Sequence, residues 1–366
     1  MKPVRFVMVG GFLGAGKTTL VARLARMYQA RGQRVGIVTN DQASDLVDTN
    51  HLKSQGFDVG EVAGACFCCN FNELTSAAER LVAAGAPDVI LAEPVGSCTD
   101  LVATVVQPLV QLFNSRFEVA PYGVILKPSH GRKILRHEPA GGFSPKAAYI
   151  FRQQLAEADF VLLNRVDELP AAEREELASL LASELPDVPV LPISARTGEG
   201  CEEAFEFLGR RGPFGRRILD IDYDVYAEGE AELGWLNANL VVRAARPFAL
   251  DDLLLDVVTR LAESLAAVGG EIAHLKVIGL VDGAYGVANV VATGALPELS
   301  LPSLARVDGA QLVVNARVAI DPVMLESHVR AAIGAACQQF SATAQYTALQ
   351  RFRPGRPVPT HRLAAK

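Results

Sequence analysis

Three thiols fall within four residues, in Gly64-Ala65-Cys66-Phe67-Cys68-Cys69-Asn70. On a tight turn, Cys66, Cys68 and Cys69 could converge on one soft or borderline cation, Zn²⁺ foremost. Three protein ligands leave a fourth position open to water, to Cys98, to His51 or to a donor from a recipient protein. A buried turn of small residues and a redox-active dithiol are the other readings of the same cluster. Cys98 is the candidate fourth ligand, with an ordinary core thiol as its alternative.

A second chemistry begins earlier. Gly11-Phe12-Leu13-Gly14-Ala15-Gly16-Lys17-Thr18-Thr19 follows the apolar run Phe6-Val7-Met8-Val9 and fits the pattern GxxxxGK[ST]. Glycines let successive N–H groups turn inward around phosphates, Lys17 reaches the β/γ oxygens, and the Thr18 hydroxyl is placed for Mg²⁺. Leu20, Val21, Leu24, Ala25 and Tyr28 then recur at helical spacing, so a helix N-terminus adds its dipole to anion binding. The first turn lacks the extra lysine of ParA-like loops.

Asn164-Arg165-Val166-Asp167 follows the apolar run Val161-Leu162-Leu163. Asp167 is placed to accept from the guanine N1–H and exocyclic amine, which adenine cannot offer, so GTP and GDP are expected over adenine nucleotides. Ser194-Ala195, thirty residues on, fits a loop that closes over the base. Glu93-Pro94-Val95-Gly96 ends another apolar run, which places the Glu93 carboxylate for the metal-bound or attacking water and the Gly96 N–H as a γ-phosphate sensor. Asp41, after Thr39-Asn40, is the best second carboxylate for magnesium or the hydrolytic water. The expected catalytic set is therefore Lys17, Asp41 and Glu93.

These groups need a scaffold that presents them at one edge. Val35–Val38, Val89–Leu91, Tyr122–Leu126, Phe160–Leu163 and Val190–Ile193 read as buried parallel strands between amphipathic helices. The expected fold is α/β, a P-loop NTPase with a mainly parallel layered sheet over residues 1–210, followed by a linker over 211–234. A smaller α+β domain should span 235–336, with strands at Leu240–Val242, Leu275–Leu280, Val287–Ala292 and Leu312–Val318 and helices at Leu253–Val268 and Met324–Ile333. Residues 337–366, with Phe352-Arg353-Pro354-Gly355-Arg356-Pro357, read as an irregular tail, basic enough to lie against an acidic partner or its own domain.

Bulk properties narrow the function classes. The 366 residues are half hydrophobic, enough for about two packed domains. Thirty-five basic residues against 41 acidic give a net charge of −6, which argues against nucleic acid or an anionic membrane as the main partner. No uncharged apolar run approaches the roughly 20 residues of a membrane span, and the chain enters a strand by residue 6 without a signal-like segment, so a cytoplasmic setting is expected. Clustered thiols in such a compartment favour metal over disulfides.

Over roughly residues 4–210 the chain resembles the CobW-type GTPases, relatives of the UreG and HypB nickel-insertion GTPases and of the corrinoid-enzyme chaperone MeaB. Gly11–Thr19, Cys66-x-Cys68-Cys69, Glu93-x-x-Gly96 and Asn164-Arg165-x-Asp167 carry the resemblance. It implies GTP hydrolysis coupled to metal handling, with the CxCC element as the site for zinc or cobalt. Residues 235–335 are only loosely similar to that family's second domain. Arg165 replaces the usual lysine, Glu93-Pro94-Val95-Gly96 stands where the family commonly has Glu-Thr-Gly, and no histidine-rich tract is present. The leading expectation is a GTPase that delivers a metal to a client apoprotein. The others are a GTPase gating a cobalamin or corrinoid enzyme and a metal-sensing interaction module. A nucleotide-dependent homodimer is a further expected arrangement.

Overall fold

The computed structural model describes residues 2–40, 52, 55–62, 64, 66–136 and 144–364. The chain divides into two compact units, one of Met1–Tyr226 with Arg356–Lys366, the other of Ala227–Gly355. Among the described residues no helix is long and apolar enough to cross a membrane.

In chain order the first unit contains β1 (Val4–Gly10), α1 (Lys17–Ala30), β2 (Val35–Asn40), β3 (Asp58–Val62), α2 (Phe71–Gly85), β4 (Val89–Glu93) and, after a π-helical turn at Val102–Val106, α3 (Gln107–Leu112). It continues with β5 (Phe117–Val119), β6 (Gly123–Leu126), α4 (Pro128–Leu135), α5 (Pro145–Ala156), β7 (Phe160–Leu163), α6 (Ala171–Glu184), β8 (Val190–Pro192) and α7 (Cys201–Leu208). The sheet runs β3-β2-β4-β1-β6-β7-β8, with β5 beside β1. Every pairing in it is parallel.

Because helices cover both faces of a parallel sheet, its strands must be apolar on both sides. Phe6, Val7, Met8 and Val9 of β1 are all at most 2% exposed, as are Val89–Ala92 of β4. The uninterrupted apolar runs of the sequence are thus the central strands. One core joins Val7 and Val9 to Leu20, Val21 and Leu24 of α1 and to Leu162 and Ile193. Parallel order brings the carboxyl ends of β1, β2, β3, β4, β7 and β8 to one edge, where ligands of such sheets bind.

The second unit follows α8 (Tyr223–Ala231), which spans the boundary. It holds β9 (Gly234–Ala249), α9 (Leu250–Ala267), β10 (Glu271–Val281), β11 (Ala284–Val290), β12 (Glu298–Leu301), β13 (Arg306–Ala319), α10 (Pro322–Gln339) and β14 (Ala342–Phe352). These strands form a six-stranded sheet in the order β12-β11-β10-β13-β9-β14, antiparallel throughout. Alternate residues Leu236, Ala238, Leu240 and Val242 of β9 and Leu312, Val314, Ala316 and Val318 of β13 share a core with Leu253, Leu254, Val257, Val258 and Leu261 of α9. The same core takes in Leu325, Val329 and Ile333 of α10. Asp321 caps α10 by accepting from Val323 N and Met324 N, with Pro322 in the first turn.

Residues 337–366 are not irregular throughout. Ala342–Phe352 is an edge strand whose residues are half-buried or exposed, so its hydrophobic alternation is too shallow to read. The segment 211–234 likewise contains α8, and β3 and β5 were not foreseen, being short and, in β3, broken by Gly60 and two acids.

α5 sets the path of the segment after β4. Gln154 Nε2 donates to Gly96 O at 3.0 Å and Cys98 O at 2.8 Å. Glu157 accepts from Thr99 Oγ1 at 3.2 Å and Val102 N at 2.9 Å. Burial, partly opposed by the Val102 N–H, pushes the Glu157 carboxyl up to about 8. The folded state then binds a proton that the unfolded chain has released between the ordinary value of 4.5 and about 8. This group's contribution is full below that window and fades as pH rises through it. Glu157→Gln should therefore flatten the loss of melting temperature between pH 5 and 8 relative to the wild type; parallel curves for the two proteins would contradict this.

Candidate nucleotide and metal site

Gly11, Gly14 and Gly16 adopt φ of +136°, +69° and +101°, the region where side chains are strained. Space excludes a side chain as well, since a Cβ on Gly11 would lie 2.3 Å from Ile125 O and one on Gly16 2.5 Å from Asn164 Nδ2. Lys17 opens α1 and is buried, its ammonium donating to Gly11 O at 2.9 Å and Phe12 O at 3.3 Å. The loop thus holds its cation against its own carbonyls at the positive end of a helix. Thr18 Oγ1 donates to Glu93 Oε1 at 2.8 Å, joining the predicted magnesium hydroxyl to the predicted carboxylate at the end of β4. Thr19 is exposed on α1.

Gly96 lies against this loop. A Cβ there would stand 2.9 Å from both Lys17 Nζ and Leu13 N, so only glycine permits the approach. Asp41, together with His51, lies outside the described residues.

On the other flank, Asn164 does different work from a base contact. Its Nδ2 donates to Ala15 O at 2.7 Å and its Oδ1 accepts from Ala195 N at 2.9 Å, fastening the phosphate loop to the Ser194-Ala195 loop. Arg165 has φ +60° and turns its guanidinium to Glu168, 3.2 Å away. Asp167 Oδ2 accepts from Arg196 Nη2 at 2.7 Å, while Oδ1 is buried without a hydrogen-bond partner. Burial opposes ionisation of Asp167, but the Ser194 hydroxyl and the Arg196 guanidinium outweigh it and hold the carboxyl below its ordinary value. The buried Oδ1 of this carboxylate is placed to accept from an incoming N–H donor.

The thiols converge as their spacing predicts. Cys69 N and Asn70 N both donate to Cys66 O, at 3.0 and 2.9 Å, closing a turn that leads into α2. The sulfurs lie 2.9 Å (Cys66–Cys68), 3.2 Å (Cys66–Cys69) and 3.8 Å (Cys68–Cys69) apart. A tetrahedral ion with Zn–S near 2.3 Å needs sulfurs about 3.8 Å apart, so a small spreading of this turn would seat one. Hydrogen bonding with Cys68, Cys69 and Cys98, in that order, holds the Cys66 thiol well below its ordinary value, overcoming burial. Cys68 is raised well above its ordinary value chiefly by its bonds with Cys66 and Cys69, and Cys69 is raised to about 11 chiefly by its bond with Cys66. Of the three thiols Cys66 is the one whose ionisation the cluster favours, and the ionised form is the one a metal captures. Cys98, 1% exposed, hydrogen-bonds with both Cys66 and Cys68.

Several contributors escaped sequence reasoning. Asn40, at the end of β2, accepts from Phe67 N at 2.8 Å and donates to Val62 O at 2.9 Å, tying the thiol turn to the sheet. Gln154 and Glu157 hold the Gly96–Val102 segment, and the far C-terminal Thr360 donates to the carbonyls of Cys68 and Cys69. Single polar residues in helices and tails carry no spacing signal.

The CobW/HypB/UreG nucleotide-binding domain model matches residues 5–192. The zinc chaperone CobW of Sinorhizobium sp is 28% identical over 218 residues, 52% of this chain and 59% of that protein. The zinc chaperone CobW of Pseudomonas aeruginosa is 30% identical over 221 residues, 52% of this chain and 56% of that protein. The chain spans somewhat more than half the length of these curated relatives. Among solved structures, the Zn(II)-bound YjiA GTPase from E. coli is 14% identical, with 90% of this chain and 99% of that one covered and a TM-score of 0.39. Since the domain match extends over half the sequence and takes in the phosphate loop, the thiol turn and Asn164, the chain belongs to the CobW/HypB/UreG family of P-loop GTPases.

Proposed function

We propose that this protein hydrolyses GTP and couples its nucleotide state to the binding and delivery of a metal ion, zinc or cobalt, to a client apoprotein. One observation carries the coupling: Gly96, packed against Lys17, is two residues from Cys98, which hydrogen-bonds with Cys66 and Cys68. A residue that contacts the phosphate-binding lysine and a residue of the thiol cluster thus share one short segment. Cys66, Cys68 and Cys69 are the ligands of the reading, with Cys98 as the fourth thiolate. The names of the two CobW relatives support zinc as the cargo.

In this reading Lys17 and the loop amides neutralise the β/γ phosphates, and Thr18 with Glu93 holds Mg²⁺. Asp41 remains the proposed second carboxylate for the water. Asp167 selects guanine, with Arg196 and Ser194 keeping it ionised. Movement of Gly96 with the γ-phosphate shifts Cys98 relative to the thiol turn. A coupling of about 1–3 kcal/mol between the sites would change metal affinity by roughly 5–150-fold, enough to bias transfer.

Three measurements test this. Asp167→Asn should weaken GTP binding by about a hundredfold and admit xanthine nucleotides, whose N1/C2 edge matches an amide; equal wild-type affinities for ATP and GTP would refute guanine selection. Lys17→Ala should reduce GTP turnover at least about a hundredfold, because it removes the cation over the β/γ bridge, and retained turnover would place the chemistry elsewhere. Zn²⁺ titration with a GTP analogue and with GDP should give different affinities, rising with pH as the thiols ionise. Combined Cys66→Ser, Cys68→Ser and Cys69→Ser should lose both metal and coupling. If that variant binds one Zn²⁺ as tightly as the wild type in both states, the delivery reading fails and gating of a corrinoid enzyme moves ahead.

A further inference from the structure

The C-terminal segment after β14 lies in the first unit, on the thiol turn. Val358 N–H donates to Cys69 Sγ. Thr360 donates twice, from its amide to Cys68 O and from its hydroxyl to Cys69 O, each at 2.8 Å. The His361 ring stands edge-on to Phe71, the first residue of α2, with centroids 5.0 Å apart. Two residues further the attachment changes: Arg362 Nε donates to Asp100 Oδ2 at 2.8 Å, and Leu363 N donates to Ala103 O at 3.1 Å. Asp100 is a buried carboxylate with φ +63°, two residues after Cys98.

Six consecutive residues therefore grip both halves of the thiol cluster, first the turn that carries Cys66, Cys68 and Cys69, then the segment that carries Cys98. Those halves come from the ends of β3 and β4, which are not neighbours in the sheet. Of the three clustered thiols, Cys69 is the one not buried, and Thr360 holds the carbonyl of that same residue. An N–H donated to a coordinated sulfur also stabilises its negative charge.

We propose that residues 358–363 form part of the metal site, as a strap whose Thr360 and Arg362 position the two thiol-bearing segments against each other and slow exchange of the bound ion. The inference rests on the thiol cluster being a metal site. It assigns to the strap the rate of metal exchange, and release of the strap as the step that opens the site.

The test uses the full chain, a deletion of residues 356–366, and the single variants Thr360→Val and Arg362→Ala. Each is loaded with Zn²⁺, and its release to an excess of chelator is timed. In parallel, the metal-free protein is treated with an aromatic disulfide reagent to time modification of its thiols. The deletion should accelerate release and modification at least about tenfold, and each single variant several-fold, with retained binding of a GTP analogue reporting an intact fold. Release and modification within twofold of wild type in the single variants and in a folded deletion would overturn the proposal. If the deletion does not fold, the single variants decide. If the wild type binds no Zn²⁺, the metal reading fails by itself, and thiol modification still decides whether the strap covers the cluster.

Discussion

A buried ammonium at the positive end of a helix is the constraint around which the first unit is arranged. Lys17 begins α1 at 7% exposure, where the helix dipole already favours negative charge. Leaving such a cation without partners would cost several kcal/mol. The loop meets this locally by turning the carbonyls of Gly11 and Phe12 toward Nζ, which demands the left-handed glycines and admits no side chain at Gly96. A site so positive and so tightly enclosed is suited to a polyphosphate, and the Thr18–Glu93 bond joins a hydroxyl and a carboxylate beside it.

The thiol cluster depends on the same edge at one remove. Asn40 ends β2 and holds Phe67, so the turn carrying three sulfurs is anchored to a strand lying between β3 and β4. Gln154, reaching from α5, fixes the carbonyls of both Gly96 and Cys98 with one amide nitrogen. Displacement of either carbonyl strains the bond to the other. The segment that packs against Lys17 and the segment that carries Cys98 are therefore held by one side-chain amide.

What was legible in the sequence follows from how local each signal is. The phosphate loop, the CxCC turn and the central strands announce themselves because their chemistry or hydrophobicity is contiguous. Asn164 reads in the sequence as part of a base-recognition motif, and in the structure its amide joins two loops, a role that the sequence pattern alone does not reveal. Cys98 is a candidate fourth ligand in the sequence, but its hydrogen bonding with Cys66 is not visible there, since 31 residues and a strand crossover separate them. The edge strand β14 and the segment beyond it were read as one irregular tail. The strand has few buried apolar residues, and the final segment is held by backbone amides, the Thr360 hydroxyl and the ion pairs Arg356–Asp224 and Arg362–Asp100, which leave no periodicity behind.

The strap has a thermodynamic consequence for the whole chain. Between Tyr226 and Arg356 the entire second unit intervenes, so docking of residues 358–363 closes a loop of roughly 130 residues. For a disordered loop of that length the closure entropy would be about 4 kcal/mol, several times the net worth of the strap's individual hydrogen bonds. The folded second unit removes most of that cost. Arg353 donates to the carbonyls of Ala231 and Glu232, pinning the exit of that unit to its entrance. Unfolding of the second unit would therefore loosen the thiol cluster, although none of the sulfurs belongs to it. On the proposed reading, retention of a metal by the thiols would report the integrity of a unit that supplies none of the clustered sulfurs.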